Sequence, residues 1–234
     1  MKFRPLLSIF AIFAKTLASL SRLFRRGSGT SLPGLLVEKY WPSMFSLIAD
    51  DFEEIILISG TNGKTTTRAV LNKIYTENGK KIVSNIGGAN IIRGIASSLL
   101  LNLNLFGISN RKIAILEVEE ASLPKLTKYI KPTCLILTNL FRDQLDAYGE
   151  VDKTLSYFKK ALNNLGYFET KSNISFEDLN KLTRTEFKLI INADDPTLLQ
   201  GIGKFEAPII GFSLDLDKQD RPKYEGEIIK LPIF

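Results

Sequence analysis

Apolar residues recur at three- and four-residue spacing from the start of the chain. Leu6, Ile9, Phe10, Phe13, Leu17, Leu20 and Phe24 fall on one side of a helix over residues 5–26, and Lys15, Arg22 and Arg26 fall on the other. Two placements of this helix stay open: docked on the body by its apolar face, or lying on an anionic membrane surface. A secretory signal ranks behind both. The amphipathic period runs on past the short apolar stretch 6–14, and no clear small-residue cleavage site follows. Gly27 to Gly34 reads as a linker. The expected organisation is a basic amphipathic helix and linker over 1–34, then one domain over 35–234.

From residue 54 the pattern changes. Short apolar runs at 54–59, 81–85, 112–117, 134–138, 189–192 and 209–212 read as buried strands. Helical patterns at 64–78, 90–103, 123–130 and 151–165 separate them. Repeated strand–helix units of this kind predict an α/β fold, a mainly parallel sheet covered by helices on both faces. Residues 167–187 are more polar and read as an insertion.

Composition narrows the chemistry. The chain has no histidine, which excludes a histidine base, a histidine metal ligand and a Ser-His-Asp triad. One cysteine, Cys134, excludes an internal disulfide and a multi-cysteine metal site. No apolar run is long enough to span a membrane. The net charge of +6 resides in the first 26 residues: Lys2, Arg4, Lys15, Arg22, Arg25 and Arg26 all precede the first acidic residue, Glu38. The other 25 basic residues equal the 25 acidic ones. A basic nucleic-acid surface on the body is not indicated.

The run Ile55–Ile58 leads into Gly60-Thr61-Asn62-Gly63-Lys64-Thr65-Thr66, with a helix after it. Two glycines let the backbone turn and approach an anion closely. Amides at a helix N-terminus point at that anion. Lys64 offers a point charge to outer phosphates, and Thr65 offers a hydroxyl to Mg²⁺. Where the third strand ends, Glu117 is the candidate Mg²⁺ ligand. Glu119 and Glu120 read as outer-shell groups or a solvated turn, the solvated reading being stronger for Glu120 than for Glu117. Asn139, Arg142 and Asp143 follow the next strand. They suit nucleotide contact, phosphate charge and the orientation of Arg142 or a metal-bound water. Asn192, Asp194 and Asp195 end a later strand. Asn192 has an amide able to read an adenine edge, and either aspartate can cap the next helix, with Pro196 in its first turn.

Taken together, Gly60–Thr66 and Asn192–Asp195 resemble the P-loop-like central-domain motifs of the Mur ligase family. Within that family, the MurT branch is resembled by Asn85-Ile-Gly-Gly-Ala-Asn90, Glu117-Val-Glu-Glu-Ala-Ser122 with Pro124, and Asn139-Leu-Phe-Arg-Asp-Gln-Leu-Asp146 with Gly149-Glu150. Amino-acid-adding members carry histidine where Gln144 stands. Ala147 departs from the arginine usual in the branch, and the branch's four-cysteine zinc ribbon has no counterpart, so zinc is not expected.

The resemblance implies binding of ATP and Mg²⁺. Gly60, Thr61, Asn62, Gly63, Lys64, Thr65, Thr66, Asn139, Arg142, Asn192 and Asp194 would serve the nucleotide, and Thr65 and Glu117 the metal. It implies amidation of the D-glutamate α-carboxylate of lipid II through an acyl phosphate, with ammonia from a GatD-type glutaminase partner. The setting would be cytoplasmic, or peripheral at the inner membrane face. The chain resembles a version lacking the C-terminal ligase domain, where the catalytic residues are expected, so nucleotide binding without complete amidation is anticipated. The alternatives are another Mur-type amino-acid ligase, of the folylpolyglutamate or cyanophycin kind, and a non-catalytic nucleotide-binding module.

Overall fold

A computed structural model of the chain describes residues 4–23, 31–85, 89–140, 150–166, 187–202, 209–213 and 227–230. The expected insertion at 167–187 lies almost wholly outside them, as do Arg142 and Asp143.

The helices are α1 (Pro5–Leu23), α2 (Ser31–Tyr40), α3 (Met44–Ala49), α4 (Lys64–Glu77), α5 (Ile92–Leu101), α6 (Leu123–Leu126), α7 (Glu150–Asn164) and α8 (Pro196–Ile202). The strands are β1 (Glu54–Ser59), β2 (Ile82–Ser84), β3 (Ile113–Glu117), β4 (Cys134–Leu137), β5 (Lys188–Asn192), β6 (Ile209–Ser213) and β7 (Glu227–Lys230). They form one sheet in the order β2-β3-β1-β4-β5-β6-β7, and every pairing is parallel. The mainly parallel α/β expectation holds. A seventh strand, β7, and the short helix α3 were not expected.

Strand β1 shows why its run is apolar throughout. Ile55 and Leu57 point into the larger core, with Leu116, Leu135, Leu137 and Leu189 from the neighbouring strands. Ile56 and Ile58 point to the other face, where Ile115 and Ile136 meet Leu71 and Tyr75 of α4. Side chains alternate along a strand, so a strand buried on both faces cannot alternate in polarity. The faces are unequally covered. Apolar residues of α1, α2, α3, α5, α6, α7 and α8 build the first, whereas α4 covers the second with no fully buried residue of its own.

The N-terminal region departs from the expected pattern in two ways. Residues 31–34, expected as linker, form the first turn of α2. Pro33 is tolerated there because first-turn amides need no intrahelical partner. A Cβ on Gly34 would fall 1.7 Å from the Arg93 carbonyl oxygen of α5, and the Gly34 N–H donates to Ser97 Oγ (3.0 Å). Glycine is what allows α2 and α5 to pack backbone against backbone. The second departure is the docking face of α1, which is not the expected stripe. The buried residues are Leu7, Ser8, Ala11, Ala14 and Ala18; of the expected stripe, Phe10 is half-buried against Trp41, while Leu6, Ile9, Phe13 and Leu20 are exposed. Small side chains bring α1 close to the body, and apart from Phe10 most of the bulky row is left outside. Phe24 lies beyond the described residues.

Candidate functional site

Strand register sets the site. Glu117, the last residue of β3, is level with Ile58 of β1, and Leu137 of β4 is level with Ser59. The loop after β1 therefore emerges between the ends of β3 and β4, at the carboxyl edge of the sheet. Here β1 sends its chain to one side and β4 opens the other, the place where open parallel sheets bind ligands.

The loop's glycines do different jobs. Gly60 has φ +132°, and a Cβ there would fall 2.2 Å from Thr138 Oγ1 and 3.0 Å from the Asn139 backbone nitrogen. Gly63 has open space around it but φ +83°, in the left-handed region, where it precedes α4. Between them the loop is tied to the end of β4. The Asn62 N–H donates to Asn139 Oδ1 (2.8 Å), and Asn139 Nδ2 returns a bond to Asn62 O (3.1 Å). The Thr61 N–H donates to Asn139 O (3.1 Å), and the Thr138 hydroxyl donates to Asn62 O (2.6 Å). Asn139, expected to contact a ligand, braces the loop in this structure.

Lys64 folds back over the loop. Its ammonium donates to Gly60 O, to Thr61 O (3.1 Å) and to Glu120 Oε1 (2.7 Å). Of the two readings open for Glu120, outer-shell group or solvated turn, its pairing with Lys64 supports the first. Thr65 donates its hydroxyl to Glu117 Oε1 (2.9 Å), so the two residues expected to share Mg²⁺ are adjacent. Glu117 is 6% exposed. Its other oxygen accepts from Arg68 Nε (3.2 Å), whose guanidinium also reaches Ser84 Oγ (3.3 Å). The sequence motifs do not single out Arg68. A signal for it exists all the same, because residues three or four apart share a helix face and Arg68 follows Lys64 and Thr65 at those spacings. Asn85 fixes the end of β3: its Oδ1 accepts from the Glu117 N–H (2.9 Å) and its Nδ2 donates to Glu117 O (2.7 Å).

The remaining expected residues lie further along the same edge. Asn192 ends β5 and accepts through Oδ1 from the Asp194 N–H (2.9 Å). Asp195 caps α8, accepting from the Leu198 N–H (3.0 Å), and its other oxygen accepts from the Leu140 N–H (2.6 Å). One carboxylate thereby links the exits of β4 and β5. The displaced pKa values sit at the opposite edge, where strands begin. Burial raises the Tyr75 hydroxyl, helped by its 2.6 Å bond to Glu54. Burial also pushes the Cys134 thiol up to about 12, with Glu54 adding to the effect and Lys188 opposing it.

Residues 58–229 match the Mur ligase middle domain. The chain belongs to the Mur ligase family. It is 32% identical over 187 residues to the lipid II isoglutaminyl synthase (glutamine-hydrolyzing) subunit MurT of Staphylococcus aureus (strain COL), an overlap of 77% of this chain and 37% of that one. It is 36% identical over 143 residues to the same subunit of Streptococcus pneumoniae (strain ATCC BAA-255 / R6), covering 61% of this chain and 31% of the relative. The match therefore spans about a third of the length of these curated relatives. Among solved structures, the MurF ligase of Thermotoga maritima in complex with ADP superposes with a TM-score of 0.55 at 16% identity, over 75% of this chain and 37% of that one. That likeness shows the fold. It is the Mur ligase central fold expected from the loop motifs.

Proposed function

We propose that this Mur ligase family chain binds Mg²⁺ and ATP at its Gly60–Thr66 loop and supplies the nucleotide half of a carboxylate-amidating ligase. The acceptor would be the D-glutamate α-carboxylate of lipid II, and a GatD-type glutaminase would deliver the ammonia. The observation that carries the reading is the adjacency of Lys64, Thr65 and Glu117 around a glycine-shaped loop at a helix N-terminus. The likeness to the two MurT subunits supports the choice of acceptor.

The loop's task is to hold a polyanion. Amides at the N-terminal end of α4 present partial positive charge, and Lys64 adds a full one. Glu117 and Thr65 fit Mg²⁺: a buried carboxylate beside a hydroxyl oxygen is a hard-oxygen pair of the kind the ion prefers. Bound there, Mg²⁺ would offset charge on the outer phosphates. Arg68 and Asn85 hold Glu117 in place, and Asn139 and Thr138 hold the loop. Activation of the acceptor as an acyl phosphate then depends on bringing its carboxylate in line with the terminal phosphate.

Two measurements test this. Titration with ADP and Mg²⁺ should show saturable binding that prefers ADP to GDP; absence of nucleotide binding would remove the loop assignment. Reconstitution of the chain together with a MurT-type C-terminal ligase domain, a GatD-type glutaminase, glutamine, ATP and lipid II should yield amidated lipid II by mass spectrometry, whereas the chain with glutaminase alone should give nucleotide binding without amidated product. Addition of a free amino acid instead would identify an amino-acid-adding ligase.

A further inference from the structure

The bulky apolar row of α1 is not used by the fold. Leu6, Ile9, Ile12, Phe13 and Leu20 are between 40% and 61% exposed, while α1 is already held by Leu7, Ala11, Ala14 and Ala18. Polar contacts tie the helix as well. Arg4 pairs with Asp51 (3.3 Å) and donates to Leu47 O, and the Lys15 ammonium donates to Leu103 O. Two more exposed apolar residues lie beside the start of the helix. The Arg4 N–H donates to Phe106 O (3.2 Å), and a Cβ on Gly107 would fall 2.8 Å from Leu7 Cβ, so the loop carrying exposed Leu105 and Phe106 abuts the first turn of α1. Among the described residues, no helix is long and apolar enough to cross a membrane.

Charge decides what covers such a surface. The first 37 residues hold six basic residues and no acidic one, whereas the rest of the chain is neutral. A cleft of about 700 Å³ that Lys15 of α1 reaches is also lined by Lys80, Lys81 and Arg111, with no carboxylate among the described residues of its wall. A second copy of this chain would have to bring two basic arms together, because a two-fold contact meets its own surface. An anionic bilayer matches both properties at once: it accepts an apolar row at the headgroup boundary and attracts the cations beside it. We infer that α1 and the 105–106 loop dock this protein on an anionic lipid surface, with the outward row inserted and the basic flank held against lipid phosphates. This inference does not depend on the nucleotide reading.

The test is flotation with vesicles of phosphatidylglycerol and phosphatidylcholine, against vesicles of phosphatidylcholine alone. Wild-type protein should float with the anionic vesicles, leave them as salt rises, and ignore the neutral ones. Ile9→Glu with Phe13→Glu should lower partitioning by about tenfold or more, since two apolar anchors are lost. Lys80→Glu with Lys81→Glu should lower it about threefold or more. Thermal melting verifies that the variants are folded, and Leu105→Ser with Phe106→Ser is the substitute pair if the first melts early. Failure of wild-type protein to float, or variants that float as it does, would overturn the inference. So would equal binding to neutral vesicles. A wild-type dimer in light scattering that Ile9→Glu with Phe13→Glu dissociates would assign the row to a second copy instead.

Discussion

At the carboxyl edge of the sheet, polar side chains hold backbone in place: Asn139 and Thr138 tie the loop after β1, and Asn85 ties the end of β3. On the outer helical layer the work is done by the absence of side chain. Gly34, Ala11, Ala14 and Ala18 let α1 and α2 approach the body, and polar bonds are confined to a few positions such as Arg4 and Lys15. The two constructions fail differently. A polar brace loses one bond at a time, and an unmade buried bond costs about 1–3 kcal/mol. A small-residue seam tolerates little enlargement, because protein interiors are close-packed and the neighbour is backbone.

The largest effect should come where the two constructions coincide. Gly60 combines φ +132° with a Cβ position 2.2 Å from Thr138 Oγ1, so the polar brace there also needs a missing side chain. Gly60→Val should cost about 2–4 kcal/mol and abolish nucleotide binding by displacing the loop from Asn139. Gly63→Ala, with φ +83° and open space, should cost only about 1–2 kcal/mol. Denaturant midpoints and ADP titration measure both. Equal costs would mean that the close approach of β4 has no energetic weight.

Next is the charge the loop holds. Lys64→Ala removes a charge-assisted contact and should weaken Mg-ADP binding by about 1.5–3 kcal/mol. Unaltered affinity would leave the loop without a phosphate to bind. Glu117→Gln should reduce the Mg²⁺ dependence of that binding more than Glu120→Gln does. The opposite ranking would move the metal towards Glu120.

The seam of α1 offers the sharpest contrast between adjacent residues. Ala14 is buried and Phe13 is 40% exposed. Ala14→Leu should destabilise by about 1–3 kcal/mol through overpacking, whereas Phe13→Ser should stay within about 0.5 kcal/mol. A larger loss from Phe13→Ser would return the bulky row to the core and remove the ground for lipid docking.

The same contrast explains what could be read from the sequence. Gly60, Gly63, Lys64, Thr65 and Glu117 stood out in the chain because phosphate chemistry calls for particular residue types at fixed spacing, and the structure brings Thr65 and Glu117 together beside that loop. The strands from β1 to β6 were legible because a strand buried on both faces is apolar at every position. The docking face of α1 was not. Periodicity weights bulky apolar residues, but the seam is built from alanines, which carry little hydrophobic signal and are chosen for close approach. The start of α2 was missed for a related reason: Gly34 reads as a loop residue until Arg93 O is seen 1.7 Å from where a Cβ would lie. Glu120 was left between two readings because nothing in a run of acidic residues says which one meets Lys64.

That last pairing gives the smallest expected effect and the most direct question about the loop. The Lys64 ammonium sits 2.7 Å from Glu120 Oε1, both side chains being mostly shielded from solvent. A phosphate group that recruits Lys64 must take it from this carboxylate, and the same carboxylate then faces an incoming anion. Both effects oppose binding. Glu120→Gln keeps the shape and a weaker hydrogen bond while removing the negative charge, so affinity for ADP without Mg²⁺ should rise by about threefold to tenfold, roughly 0.7–1.4 kcal/mol. Added salt should shrink the gain, because part of it is long-range repulsion. A fall in affinity, confined to titrations with Mg²⁺, would instead make Glu120 a partner of the hydrated metal. Unchanged affinity in both would mean that Lys64 exchanges its partners at no net cost.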